Sequence, residues 1–89
     1  MTIKFENMTE TTEPFTLAAE TYVLEYEANW GNGSVILQKL IGGGSNWVNA
    51  MRAFGSDGRI AATNLTGIYR FAVHAATEVN ITVTPSEKF

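Results

Sequence analysis

From Ser34 to Pro85 the chain is a succession of short apolar or alternating runs separated by glycine-rich turns, and this pattern constrains its fold more than any other feature. Ser34-Val-Ile-Leu-Gln-Lys-Leu-Ile41 is followed by Gly42-Gly-Gly-Ser45 and then by Asn46-Trp-Val-Asn-Ala-Met-Arg-Ala53. Gly55-Ser-Asp-Gly58, Gly67-Ile-Tyr-Arg-Phe-Ala-Val73 and Val79-Asn-Ile-Thr-Val83 continue the series. Turn signals every roughly eight to twelve residues between such runs predict an antiparallel sandwich or barrel. The expectation is an all-β, single-domain antiparallel β-sandwich of about six to eight short strands covering residues 1–89, since a chain of 89 residues leaves no room for a second core.

The strands are read from period-two alternation. Thr21–Ala28 is the clearest case, with Tyr22, Leu24, Tyr26 and Ala28 on one face and Val23, Glu25 and Glu27 on the other. One buried and one wetted face is the mark of an antiparallel sheet. Asn29-Trp-Gly-Asn-Gly33 supplies a reversal, and its Asn32-Gly33 pair predicts a type I′ hairpin, which needs positive φ at both central residues. Ser34–Ile41 returns with Val35 and Leu37 inward. Asn46–Phe54, Arg59–Thr63, Ile68–His74 and Val79–Val83 are the remaining strands of this half, with Asn64-Leu-Thr-Gly67 a loop between two of them. Tyr69, Phe71 and Val73 share a face, which places Tyr69 in the core and Arg70 outward; Pro85 ends the last ladder.

The first residues read less clearly. Thr2–Met8 alternates Ile3 and Phe5 with Thr2, Lys4 and Glu6, so residues 1–14 form either the first strand of the sandwich or an arm that reaches a neighbouring chain. Thr9–Pro14 is a polar loop, and Phe15–Ala18 is a short edge strand or a helical turn. The predicted core is Tyr22, Leu24, Tyr26, Val35, Leu37, Trp47, Tyr69, Phe71, Val73, Val79, Ile81 and Val83.

Composition excludes several classes of function. Nine acids against six bases give a net charge of −3, and the six basic residues are scattered rather than clustered, which argues against nucleic-acid binding. Without cysteine there is neither a disulfide framework nor a thiolate metal site. Met1-Thr-Ile-Lys-Phe-Glu-Asn lacks the layout of a signal peptide, and no apolar run reaches the eighteen or so residues that span a bilayer, so the expectation is a soluble protein made in the cytosol with no membrane partner. His74, the single histidine, has neither further ligands for a metal nor a neighbouring nucleophile. Glu25 and Glu27 lie roughly 7 Å apart by strand rise, near the separation of glycosidase carboxylates, but two acids on one strand face are the ordinary solvated surface of a sheet. Gly55-Ser-Asp-Gly58 is no calcium loop and Gly42-Gly-Gly44 no phosphate cradle. No catalytic, cofactor-binding or metal-ligating residue is expected.

The tryptophans carry two readings each. Trp47 is an aromatic platform for sugars or bases or, the expectation taken here, a core residue opposite Leu37; Trp30, beside the tight turn, caps the end of the sandwich or contacts a partner. The sequons at Asn7, Asn32, Asn64 and Asn80 are expected by chance in a surface rich in Thr and Asn.

Four elements carry a resemblance: Leu37-Gln-Lys-Leu40, Gly44-Ser-Asn-Trp-Val48, Asp57-Gly58 and Gly67-Ile-Tyr-Arg70. Together they resemble small bacteriophage virion proteins, in which a Leu-Gln-x-Leu strand, a glycine turn before Trp-Val, an Asp-Gly turn and a Gly-x-Tyr-Arg strand recur. The resemblance covers about two thirds of the chain and implies a non-enzymatic structural protein located in the virion. The role expected first is that of a capsid decoration or cement protein, otherwise of a neck or tail component, acting by protein–protein assembly. It implies virion partners such as the major capsid protein, homo-oligomeric copies in the particle, and no cofactor. Ile3, Phe5, Trp30 and Phe89 are the candidate partner contacts, the first two and the last because apolar side chains at chain ends fray unless tied down. The alternative is a β-sandwich that binds glycan or a host surface through loops around Trp30 and Trp47.

Overall fold

The structure is a computed structural model that describes residues Thr2–Gly42 and Asn46–Pro85. It is all-β, with no helix among the described residues. Six strands run in order: β1 (Ile3–Met8), β2 (Phe15–Asn29), β3 (Ser34–Ile41), β4 (Asn46–Asn49), β5 (Gly58–His74) and β6 (Thr77–Pro85). All pair antiparallel in one sheet of order β1-β6-β2-β5-β3-β4. The antiparallel all-β expectation holds. The strands form one continuous sheet rather than two separate ones, and two of them are long rather than short.

Those long strands explain how one sheet makes a closed core. The seventeen residues of β5 would span about 56 Å if straight, whereas the longest extent of the molecule is 33 Å. β5 therefore bends, and so does β2. The bends fall where pairing is irregular: the β2–β5 register shifts between Leu17 and Glu20 and again between Glu20 and Tyr22, and β5 carries positive φ at Asn64 (57°) and Gly67 (121°). Bulges of this kind sharpen local twist and re-aim a strand. Tyrosine hydroxyls pin both bends. Tyr22 donates to the Ala18 carbonyl (3.1 Å) and accepts from the Ala18 N–H (3.2 Å); Tyr69 does the same at Thr66 (3.3 and 3.1 Å). Burial of Tyr22, 1% exposed, raises its phenol above the usual value, opposed by the Ala18 hydrogen bond.

Beyond the bends the sheet faces itself. Phe5 of β1 lies 5.2 Å from Phe15 and 5.5 Å from Phe71, although β1 and β5 are three places apart in the sheet. Phe15 stacks on Phe71 at 5.5 Å, so three rings close one side of the core. At the other end Phe54, from the segment after β4, stacks almost parallel on Tyr26 at 3.9 Å and pairs with Val35 through two backbone hydrogen bonds. Between them lies a single cluster that includes Tyr22, Leu24, Val35, Leu37, Phe71, Val79, Ile81 and Val83.

Several expectations change in detail. Asn64-Leu-Thr-Gly67 is not a loop between two strands but the bulged middle of β5, with Leu65 buried. Phe15–Ala18 is the start of the long strand β2 rather than a short strand of its own, and among the described residues it pairs on one side only, with β5, as an edge does, β6 joining from Tyr22. The reading of Thr2–Met8 resolves to a strand, since β1 pairs with β6 from Ile3↔Val83 to Met8↔Val79. Thr9–Pro14 is a loop, yet it is tied to β5: Thr12 N–H donates to the Phe71 carbonyl (3.0 Å), and the Phe71 and Val73 N–H groups donate to the Thr12 and Thr11 hydroxyls (3.0 and 3.3 Å). The hairpin after β2 is not type I′. Gly33 N–H closes the turn on Trp30 O (2.6 Å), so Gly31 and Asn32 are its central residues, and positive φ occurs at Gly31 (53°) but not at Asn32 or Gly33. That pattern is type II′.

Candidate protein-binding face

Trp47 is not in the core. It pairs with Leu40, not Leu37, and side chains alternate between faces, so the indole lies on the outer face of β4, half-buried. The same pairing puts Leu40, Gln38 and Asn49 on that face, and β3–β5 pairing adds Arg70 opposite Gln38 and Ala72 opposite Ile36. Ile68 belongs to this outer row and is 40% exposed.

Arg70 organises the face. Its guanidinium carbon stands 4.4 Å from the centroid of the Trp47 ring, a cation–π contact, and its Nε donates to Gln38 Oε1 at 2.8 Å. Gln38 Nε2 in turn donates to Asn49 Oδ1 at 3.1 Å. This relay fixes the amide orientation and holds the guanidinium over the indole. A positioned arginine beside a tryptophan, set among half-buried aliphatics (Ile36, Leu40), has the composition of the energetic centre of a protein–protein interface.

The other conspicuous residues lie elsewhere. Trp30 packs against the core and donates from Nε1 to Asp57 Oδ1 at 2.7 Å; the same oxygen accepts from Ala28 N–H at 3.2 Å. Trp30 thus clasps the end of the fold, the capping arrangement among its two readings. Ile3 and Phe5 are half-buried against the chain's own core, and Phe89 lies outside the described residues. Glu25 and Glu27 are exposed and line an open concavity of about 410 Å3 with Asp57, Asn80 and Thr82, a wetted acidic surface. His74 is exposed. Among the described residues no cluster of His, Asp or Glu has the geometry to hold a metal.

The Arg70–Gln38–Asn49 relay went unseen in the sequence, although a signal existed: Gln38 and Arg70 both fall at outward positions of their strands. What the sequence lacked was the register that sets them side by side. Comparison with protein-family models, with curated proteins and with solved structures gives no match.

Proposed function

We propose that the chain is a non-enzymatic structural protein of a bacteriophage virion, acting by assembly with other virion proteins, in the first instance as a capsid decoration or cement protein and otherwise as a neck or tail component. The phage assignment rests on the sequence resemblance. The assembly role is supported by one observation above the rest: the outer face of β3, β4 and β5 holds a preorganised Trp47–Arg70 pair among partly exposed aliphatic side chains. Preorganisation matters because a side chain already fixed loses less conformational entropy on binding, and an arginine carries up to about 2 kcal/mol of it. The test is purification of particles from cells carrying the genome that encodes this chain. The protein is expected at a fixed ratio to the major capsid protein through a density gradient; its absence from purified particles contradicts the proposal.

A further inference from the structure

We infer that the open edge of β4 is a docking strand for an extended partner segment in which acidic and apolar residues alternate. This deepens the assembly reading, on which it rests, by naming the surface and the chemistry of what it takes.

The two edges of the sheet are built differently. β1, at one end, is guarded: Lys4 and Glu6 are exposed on it, Asn7 has φ of 53°, and its register shifts between Phe5 and Met8. Charges and bulges of this kind are how proteins keep an edge from pairing. β4, at the other end, reads Asn46-Trp-Val-Asn49, with no charge, no proline and no register shift along its pairing with β3. Among the described residues it pairs on one side only.

Its backbone groups are aimed for pairing. Ala50 N–H donates to Leu37 O at 2.8 Å, and hydrogen-bonded pairs alternate along an antiparallel ladder. Lys39–Val48 is therefore a bonded pair, while Gln38–Asn49 and Leu40–Trp47 are not. The N–H and C=O groups of Trp47 and Asn49 consequently point away from β3 into the open side. Two residues with one donor and one acceptor each offer up to about four main-chain bonds to an added strand.

The side chains specify what that strand carries. Arg70 sits on β5, two strands in from the edge, about 10 Å by strand spacing. Its side chain nevertheless reaches across β3 to lie over Trp47, delivering the cation to the edge. Nε is engaged by Gln38, and none of its hydrogen bonds among the described residues uses the terminal nitrogens, the pair that receives a carboxylate in a bidentate contact. On the other face of the edge stand Val48, 42% exposed, and Ile41, 41% exposed. A strand added beside β4 thus meets a guanidinium on one face and an aliphatic shelf on the other, and the matching segment alternates acid with apolar residue.

The probe is a blocked synthetic peptide of alternating glutamate and valine, with two controls: alternating lysine and valine, and glutamate and valine in blocks. In titrations followed by amide shifts, the alternating acidic peptide is expected to bind saturably and to move Trp47, Val48 and Asn49, while neither control does. Arg70→Gln is expected to weaken binding at least roughly ten-fold, the order of one charge-assisted hydrogen bond. Asn49→Pro, which removes an outward N–H, is expected to do the same, and Asn49→Ala, which likewise deletes the Oδ1 bonded by Gln38 but keeps the N–H, is expected to bind more tightly than Asn49→Pro. If Asn49→Pro lowers the melting temperature, Arg70→Gln decides alone. Equal binding of the lysine peptide, shifts centred on another surface, or no binding at all overturns the inference. So does a concentration-dependent dimer that Asn49→Pro abolishes, since the edge is then taken by a second copy of the chain. Particles that bind the chain while the acidic peptide does not defeat the edge inference alone; a peptide that binds where particles do not defeats the virion reading alone.

Discussion

Gly33→Ala is a test of how the hairpin after β2 is built. An added methyl at Gly33 would stand 2.5 Å from the Ala75 carbonyl carbon, the Ala76 nitrogen and the His74 oxygen, all backbone atoms of the β5–β6 turn. Ordinary contact between carbons is about 3.5–4.0 Å, so the turn must retreat by an ångström or more. It has little freedom to do so: Ala75 already holds φ of 61°, and Ala76 is 1% exposed in the core. Overpacking of this sort costs about 1–3 kcal/mol and more where backbone must move. The stiffer unfolded chain returns about 0.4–1 kcal/mol. The net loss is about 2 kcal/mol, or a melting temperature lowered by roughly 8–16 °C in a domain of this size. Gly33→Asn separates this cause from turn conformation. Asparagine tolerates the left-handed region, so a glycine needed only for positive φ would accept it, whereas crowding makes Asn at least as harmful as Ala. Gly55→Ala is the control, because exposed Gly55 has no positive φ and nothing within 4 Å of an added Cβ; it is expected to change stability by under about 0.5 kcal/mol. Urea unfolding followed by tryptophan fluorescence gives all three values. A Gly33→Ala variant within about 0.5 kcal/mol of wild type, the scatter of innocuous surface changes, refutes the close-approach argument.

Three further outcomes follow from the packing. Phe71→Ala removes the central ring of the Phe5–Phe15–Phe71 cluster, fully buried, and is expected to cost about 3–5 kcal/mol in calorimetry or denaturant titration; an unchanged melting temperature refutes it. Deletion of residues 2–8 removes β1 and uncovers Val79, Ile81 and Val83 along β6, so the truncated chain is expected to lose cooperative unfolding; a sharp native transition would restore the arm reading of this segment. Tyr22 has its folded pKa raised by burial, so the folded state resists ionisation and stability is fully present below the ordinary tyrosine value of about 10 and is lost as pH rises through the folded value. Tyr22→Phe should flatten that part of the alkaline fall in melting temperature while costing about 1 kcal/mol at neutral pH for its two Ala18 hydrogen bonds; an identical alkaline profile in the variant contradicts the assignment.

What the sequence made legible is what period-two alternation encodes. Tyr22 and Leu24, Val35 and Leu37, and Val79, Ile81 and Val83 are buried as their spacing requires, because each lies on a strand with one wetted face. Trp47 lies on the face opposite the expected one because the glycine-rich sequence Gly42-Gly-Gly-Ser45 does not specify register, and a shift of one residue sends a side chain to the opposite face. Asn64-Leu-Thr-Gly67 has turn composition because a bulge and a turn draw on the same positive-φ residues. Phe54 closes the core from a segment with no alternation, where periodicity has no signal to give; Phe15, at the start of β2, joins the ring cluster because the bend in that strand turns it toward β1. The candidate face depends on all of these. Its members come from β3, β4 and β5, and only register brings Arg70 over Trp47.

The central claim is that this face binds other virion proteins. It is tested most directly by saturation binding of the purified chain to particles that lack it, comparing wild type with variants on two surfaces. Trp47→Ala and Arg70→Gln alter the proposed face; Glu25→Gln with Glu27→Gln alters the exposed acids of β2 on the other half of the sheet. Central interface residues cost about 2 kcal/mol or more on truncation, which is a roughly thirty-fold rise in Kd. The account predicts that rise for each variant of the face, with unchanged melting temperatures, and wild-type occupancy for the glutamate variant. Wild-type occupancy for Trp47→Ala and Arg70→Gln, with loss in the glutamate variant, would contradict it.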